Sequence, residues 1–404
     1  MEQKEIIIST DVGFNGIKCI VGEPEKELFN FHVYSDIYDI TDFPSLYNNE
    51  LADTVYVKEL AEGVNRTYAT GKIARDYLQT RDAKQAIESD DFYYSGDTEE
   101  EDYRRFTTKG FKRLHLSVIF RAIKTLSEIN GYEDVIDKPE NYKLLIEIEL
   151  PHAISKDNKY SSLIAGNIKR PDNTLSYKLP NERNYFKMPQ IVMDAEVSFT
   201  SQVIAAVICE MESNEDFQPP VFVLDCGSKT VGIATIEPTF TVARGATSNR
   251  SYAVNNINKA VVKEVEKLTH GEYLINVNQI EELAKSIDGK EAAYWSDKND
   301  KKMVINITEI YDEKANETAK ALVKYCFSEY KHDLARSKTI LVAGGTGVIY
   351  YKTLSKEFPQ KLDGVNVVLA KGDIAGTTNG SIFSIAAGGF KLAAMKCLER
   401  RQRN

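Results

Sequence analysis

Residues 5–18 read EIIISTDVGFNGIK, and residues 221–236 read VFVLDCGSKTVGIATI. Each begins with an apolar, β-branched run, reaches an Asp-x-Gly, passes through small or polar residues and turns back into a second run. A buried strand entering a tight hairpin has this form. Asp11 and Asp225 lie 214 residues apart, one in each half of a 404-residue chain. A single Asp-x-Gly is an ordinary turn signal. Two copies, each set between strands and one per half, predict two related α/β domains.

Such a turn exposes backbone N–H groups that cradle phosphate oxygens. An Asp at the strand end suits hydrated Mg²⁺, which takes one or two carboxylates and keeps most of its waters. Two such turns serving one ligand would hold a polyphosphate from both sides. Lys18, on the returning strand, reaches a phosphate as a point charge or stands in solvent. A third element, ILVAGGTG over 340–347, places glycines after a strand and before a helix, where backbone approaches a ligand closely or simply turns. There is no G-x-x-x-x-G-K-[ST] and no complete G-x-G-x-x-G in these segments, which argues against a P-loop or a dinucleotide fold.

The rest of the chain fits a globular protein. Apolar residues make up 42% and charged residues 27%, which excludes a wholly disordered chain. The net charge of −9 disfavours a surface that grips nucleic acid throughout. No run reaches the ~18 apolar residues of a membrane span, and MEQKEIII reads as no leader. Cys19, Cys209, Cys226, Cys326 and Cys397 are scattered and form no CxxC, which fits a reducing cytoplasm without disulfides or a zinc site.

Outward from the two hairpins, residues 23–112 are polar, Tyr- and Asp-rich and weakly periodic, and read as a smaller insertion. Within it, 88–102 carries eight acidic residues and is followed by Arg104, Arg105, Lys109, Lys112 and Arg113, either a solvated loop or a contact surface. Helical spacing covers 114–130, and 142–150 (YKLLIEIEL) is a strand stopped by Pro151. A hairpin is expected near 170–173, a strand at 190–193, a helix at 198–211 and a linker at 212–220. Further on, 254–268 and 309–330 read as helices and 339–342 and 365–369 as strands. A C-terminal helix covers 381–401, with Gly388-Gly389 a possible kink.

In that order and at those separations, DVGFNGIK, LDCGSKTVGIATI and LVAGGTGVI resemble the phosphate 1, phosphate 2 and adenosine motifs of the actin/Hsp70/sugar-kinase ATPase superfamily. LPHAISKDN from Leu150, with QIVMDAE ending at Glu196, resembles bacterial ParM-type actin-like proteins, and GDIAGTTNG at 372–380 resembles their second connecting region. The resemblance implies two RNase H-like domains around a nucleotide cleft: 1–204 with an insertion at about 33–112, 205–380 with one at about 251–321, and a helix at 381–404 returning to the first domain.

It also implies roles. Asp11 holds Mg²⁺, mostly through water, and Asp225 faces the metal and the attacking water from the other side. Gly13, Phe14, Asn15, Gly16 and Lys18 meet the phosphates from one loop, and Gly227, Ser228, Lys229 and Thr230 from the other. Lys229 stands where small residues are usual and points inward to phosphate or outward to solvent; Cys226 also departs from the pattern. Glu196 either orients the water or lies idle at a helix N-terminus. Gly344, Gly345, Thr346 and Gly347 meet the adenosine and α-phosphate, while Lys263 and Glu264 touch the nucleoside or form a solvated pair.

The expected activity is ATP hydrolysis, with GTP as a variant, driving self-assembly into cytoplasmic filaments that segregate plasmids. An adaptor protein bound to centromere DNA would be the partner, with no direct nucleic-acid or membrane contact. A small-molecule kinase and a shape or division scaffold are the alternatives. The latter would use the basic, amphipathic 391–403 stretch on a membrane.

Overall fold

The computed structural model describes residues 3–42, 53–79, 104–211, 217, 219–285, 291–296, 298–372, 374 and 380–403. The chain divides into two compact units, Met1–Glu215 with Lys371–Asn404, and Asp216–Ala370. Each unit is built on a five-stranded mixed sheet of the same topology. The acidic run at 88–102, most of the 212–220 linker and most of the 372–380 segment lie outside the described residues.

In the first unit, β1 (Lys4–Val12), β2 (Gly16–Glu23), β3 (Lys26–Tyr34), β7 (Tyr142–Leu150) and β9 (Glu196–Ser201) stand in the order β3-β2-β1-β7-β9. The first three are antiparallel neighbours, and β1, β7 and β9 run parallel. Both faces of the sheet are covered, which is why β1 reads as an unbroken apolar run. Ile6 and Ile8 join the core with the helix Lys109–Leu126, whereas Ile7 joins Phe383, Ala386 and Phe390 of the C-terminal segment. That segment is the helix Ser384–Arg403, preceded by one turn at Ser381–Phe383.

A smaller four-stranded antiparallel sheet is inserted here. Its strands are β4 (Ile37–Asp39), β5 (Tyr56–Ala61), β6 (Val64–Thr70) and β8 (Leu175–Lys178), in the order β4-β6-β5-β8. The helix Lys72–Gln79 packs on it through Ile73, beside Ile40, Tyr56 and Ala69.

The second unit repeats the scheme with β10 (Val221–Cys226), β11 (Val231–Ile236), β12 (Val242–Asn249), β15 (Thr339–Ala343) and β16 (Asn366–Leu369), ordered β12-β11-β10-β15-β16. Its core takes Val254–Leu268 and Thr308–Glu329, with Gly347–Glu357 behind β15. A two-stranded ribbon, β13 (Glu291–Ser296) with β14 (Lys301–Asn306), lies between those first two helices in sequence.

Five expectations are corrected. Residues 26–34 belong to the main sheet as β3, since the alternating ELFNFHVY packs against β2. The expected strand at 190–193 is a helical turn, entered from extended Pro189 and pinned by Gln190 Nε2 donating to both Asp194 carboxylate oxygens. The strand comes after it, at 196–201, and the helix begins only at Gln202. The segment near 170–173 ends the helix Asn158–Lys169 and turns, through Asp172 accepting from the Thr174 N–H, into β8.

Gly388-Gly389 is a packing contact and not a kink, because the helix runs unbroken from Ser384 to Arg403. A Cβ on Gly388 would strike the Ala205 carbonyl, and one on Gly389 the Glu149 carboxyl. The basic end of this helix is likewise committed: Lys396 Nζ sits 2.8 Å from buried Glu147, Arg401 2.9 Å from Glu5, and Arg400 pairs with Glu196. By length and hydropathy the helix would cross a membrane, but two-thirds of that stretch is buried against its own unit.

Gly388→Ala gains about 1 kcal/mol of helix propensity and is expected to lose more by pushing the helix off Ala205, about 1–3 kcal/mol. A lower melting temperature is the expected result; a kink would give a higher one. A second measurement concerns His115, wholly buried between Thr10 and the Phe111 ring. Burial pushes its imidazole from 6.5 down to about 4. The unfolded chain then binds the extra proton first, so stability is full above pH ~6.5 and falls as pH drops towards 4. His115→Gln should flatten that fall by up to about 3 kcal/mol in denaturant titrations at pH 7 and pH 4.

Candidate functional site

The two hairpins are closed by equivalent main-chain bonds. Gly13 N–H donates to Gly16 O at 3.1 Å, and Gly227 N–H to Thr230 O at 2.9 Å. The ladders end on equivalent pairs, Val12 with Ile17 and Cys226 with Val231. One step earlier, each Asp faces its returning strand: Asp11 opposite Lys18, and Asp225 opposite Gly232. The loops thus agree in turn geometry and differ in what stands across from the carboxylate.

In the first unit Asp11 is almost fully buried at the carboxyl end of β1. Lys18 Nζ lies 3.1 Å from its Oδ2, and Gln202 Nε2 donates to Oδ1 at 2.8 Å. Glu149 stands beside it on β7. Burial pushes the Glu149 carboxyl well above its ordinary range, reinforced by the charges of Glu147 and Asp11. Of these neighbouring carboxyls, Glu149 therefore favours the neutral form, which spares Asp11 a like charge. Ser9 Oγ donates to Glu149 Oε1 at 2.9 Å.

The loop itself is gripped from outside. Ser35 Oγ donates to Gly13 O at 3.0 Å, the Arg105 guanidinium lies 3.6 Å from the Phe14 ring centre, and Arg75 Nη1 donates to Asn15 Oδ1 at 2.9 Å. At Gly16 any Cβ would strike the His32 ring.

In the second unit Gly227, Ser228, Lys229 and Thr230 form the loop after Asp225, and the 344–347 turn is latched to it. Thr346 donates to Cys226 O from both its N–H (3.2 Å) and its Oγ1 (2.8 Å). Gly344, at φ +84°, lets that turn pass where a Cβ would strike Asp225 Oδ1 and Cys226 O. Asn255 N–H at the head of the helix Val254–Leu268 donates to Ser228 O at 2.8 Å. Burial raises the Cys226 thiol, so it serves as packing and not as a nucleophile. Gly345 and Gly347 complete the turn, with Gly347 N–H bonded to Gly344 O at 3.0 Å.

Two groups of expected site residues fall elsewhere. Glu196 begins β9, opposite Leu145, while Asp11 lies level with Glu149 and Thr200. Four residues of strand, about 13 Å, separate the two levels. Glu196 is also exposed and paired with Arg400. The residue that does reach Asp11 is Gln202, which sequence reasoning missed because the helix was expected to start at 198. Lys263 is exposed, and Glu264 pairs with Lys267 at 3.3 Å along the same helix, as a solvated surface pair does.

The donor set suits a Mg-nucleotide. In each unit a carboxylate at a strand end stands beside a tight loop, and in the first unit the partly buried Lys18 adds a positive charge, groups that suit hydrated Mg²⁺ and phosphate. Among the described residues no cluster of three or more acidic, His or Cys side chains competes as a metal cage.

No known sequence family and no curated protein matches the chain. Solved structures match it along its whole length. A 15-stranded ParM filament from Clostridium botulinum is 15% identical with a TM-score of 0.61, covering 98% of this chain and 100% of the other. Bacillus thuringiensis ParM with ATP is 13% identical at 0.59, covering 98% and 100%. The archaeal actin homologue Ta0583 is 15% identical at 0.61, covering 96% and 99%. The chain therefore has the actin-like fold, in the form shared by ParM proteins and an archaeal actin homologue.

Gly344→Ala is expected to cost about 2 kcal/mol, from left-handed backbone strain and the clash with Asp225 and Cys226. Chemical denaturation read by tryptophan emission checks it, since Trp295 lies in the second unit. An unchanged midpoint would mean that the turn is not held as described.

Proposed function

We propose that this chain is an actin-like ATPase that assembles with Mg-ATP into filaments in the cytoplasm. In the manner of ParM proteins, it would move plasmid DNA through an adaptor protein bound to the centromere. The pair of matched hairpins carries the reading: two loops with the same closing bond and an Asp at the same register, on an actin-like fold. Filament and ATP-bound forms among the similar structures support self-assembly and nucleotide binding.

In this reading both loops serve one nucleotide. Backbone N–H groups of the two loops beyond the closing Gly13 and Gly227 take the phosphates, with Lys18 as a fixed positive charge. The 344–347 turn takes the adenosine side. Asp11 and Asp225 would hold Mg²⁺, mostly through its waters. When bound there, the ion would supply positive charge against the negative charge on the transferring phosphoryl group. Gln202, anchored on Asp11, takes the place expected for Glu196. Its amide cannot accept a proton at neutral pH, so its part is to orient the attacking water in line with the γ-phosphate. Water adds to phosphorus as the bond to ADP breaks, and inorganic phosphate leaves. Loss of the γ-phosphate removes ligands from both loops and shifts the population towards a state that disassembles.

The assignment of the water to Gln202 is checked by steady-state kinetics. Gln202→Ala is expected to lower kcat about a hundredfold, while Glu196→Ala leaves it within about twofold because that residue lies at the far end of its strand.

Right-angle light scattering with Mg-ATP, run with phosphate release, tests the whole reading. Scattering that rises above a critical concentration, with phosphate release lagging behind, is expected; an Asp225→Ala variant should assemble and persist. Flat scattering, with phosphate transfer only when a small acceptor is added, would make the protein a kinase instead.

A further inference from the structure

We propose that Arg75 is a positioning residue that couples the first phosphate loop to the inserted four-stranded sheet, so that nucleotide at the loop is registered as order in the insertion. The proposal rests on nucleotide binding at that loop.

The helix Lys72–Gln79 is set firmly on the small sheet. Lys72 N–H donates to Asp53 Oδ2 at 2.9 Å, and Gly71 N–H to Asp36 O at 3.0 Å. Gly71 takes φ +74°, in a space where a Cβ would crowd the Asp53 carbonyl. Ile73 fills the apolar cluster of Ile40, Tyr56 and Ala69.

From this helix Arg75 runs inward, 5% exposed. Its guanidinium lies 4.3 Å from the Tyr34 ring centre, and Nη1 donates to Asn15 Oδ1 at 2.9 Å. Tyr34 is itself paired with Gly16 across β2 and β3, so Arg75 spans from the insertion to the returning end of the turn. The neighbouring grips differ in origin. Ser35 belongs to the end of the main sheet, and Arg105, which also donates to Val12 O at 3.4 Å, precedes the helix Lys109–Leu126. Of these contacts, the Arg75–Asn15 bond is the one that joins the loop to the helix carried by the small sheet.

A planar guanidinium stacked on an aromatic ring fixes direction as well as charge. A phosphate that draws the backbone N–H groups of residues 14–16 together must move or fix Asn15. Through Arg75 that restraint passes to the helix and the sheet beneath it. In the absence of nucleotide the same bond transmits the loop's freedom. The second loop is latched by the Thr346 contacts to Cys226 O and by the Asn255 N–H to Ser228 O.

Hydrogen exchange on the full chain, with and without Mg-ADP, tests the coupling. In the wild type nucleotide should slow exchange both in residues 11–18 and in residues 72–79. Arg75→Lys keeps the charge and shortens the reach. It should retain protection of 11–18, lose the nucleotide-dependent protection of 72–79, and weaken affinity about tenfold. Asn15→Ala removes the acceptor without touching the helix and should uncouple the two segments in the same way. Nucleotide-dependent protection of 72–79 that survives in both variants overturns the proposal. A wild type that shows no protection at 11–18 overturns nucleotide binding at the loop, and the coupling with it.

Discussion

A strand that ends in Asp and turns back through one main-chain hydrogen bond is the constraint on which this molecule depends. At Asp11 and at Asp225 the turn is closed by the Gly N–H reaching the carbonyl three residues on. Closure fixes the carboxylate at the rim of a parallel strand and leaves the loop backbone compact. Around each copy the same five-stranded topology is built, with the Asp-bearing strand in the centre. A central strand buried on both faces holds that rim more rigidly than a surface loop would.

The surroundings of the two carboxylates differ. Asp11 meets a lysine, a glutamine and a neighbouring carboxyl that favours its neutral form, which gives a dense, hydrogen-bonded, buried site. Asp225 is half-buried and is approached closely by glycine backbone, Gly232 across the ladder and Gly344 from the adjoining turn.

The parts that were legible in the sequence are those where burial imposes a simple pattern. EIIIST and VFVL are apolar on both faces, and each runs into an Asp-x-Gly that only a tight turn accommodates, so both hairpins and the paired-domain fold could be read directly. Strand β9 was hidden because Ser198 and Thr200 point at Glu147 and bond to it, which replaces apolar alternation with hydroxyls on an inward face. Missing that strand shifted the following helix by a few residues, and with it the choice between Glu196 and Gln202. The Gly388-Gly389 pair looks like a break in one dimension; only the partners Ala205 and Glu149 give it meaning. Arg75 carries no local signal, because its partner Asn15 is 60 residues away.

The claim that both loops belong to one nucleotide is tested most directly by calorimetric titration of Mg-ATP into the wild type, Gly13→Val and Gly227→Val. In each variant the added side chain crowds its own loop, against Lys18 and Gly16 O in the first and Thr230 O in the second. One nucleotide per chain is expected, with affinity reduced about tenfold or more by either substitution alone. Two nucleotides per chain, or a wild-type affinity retained in either variant, would contradict it.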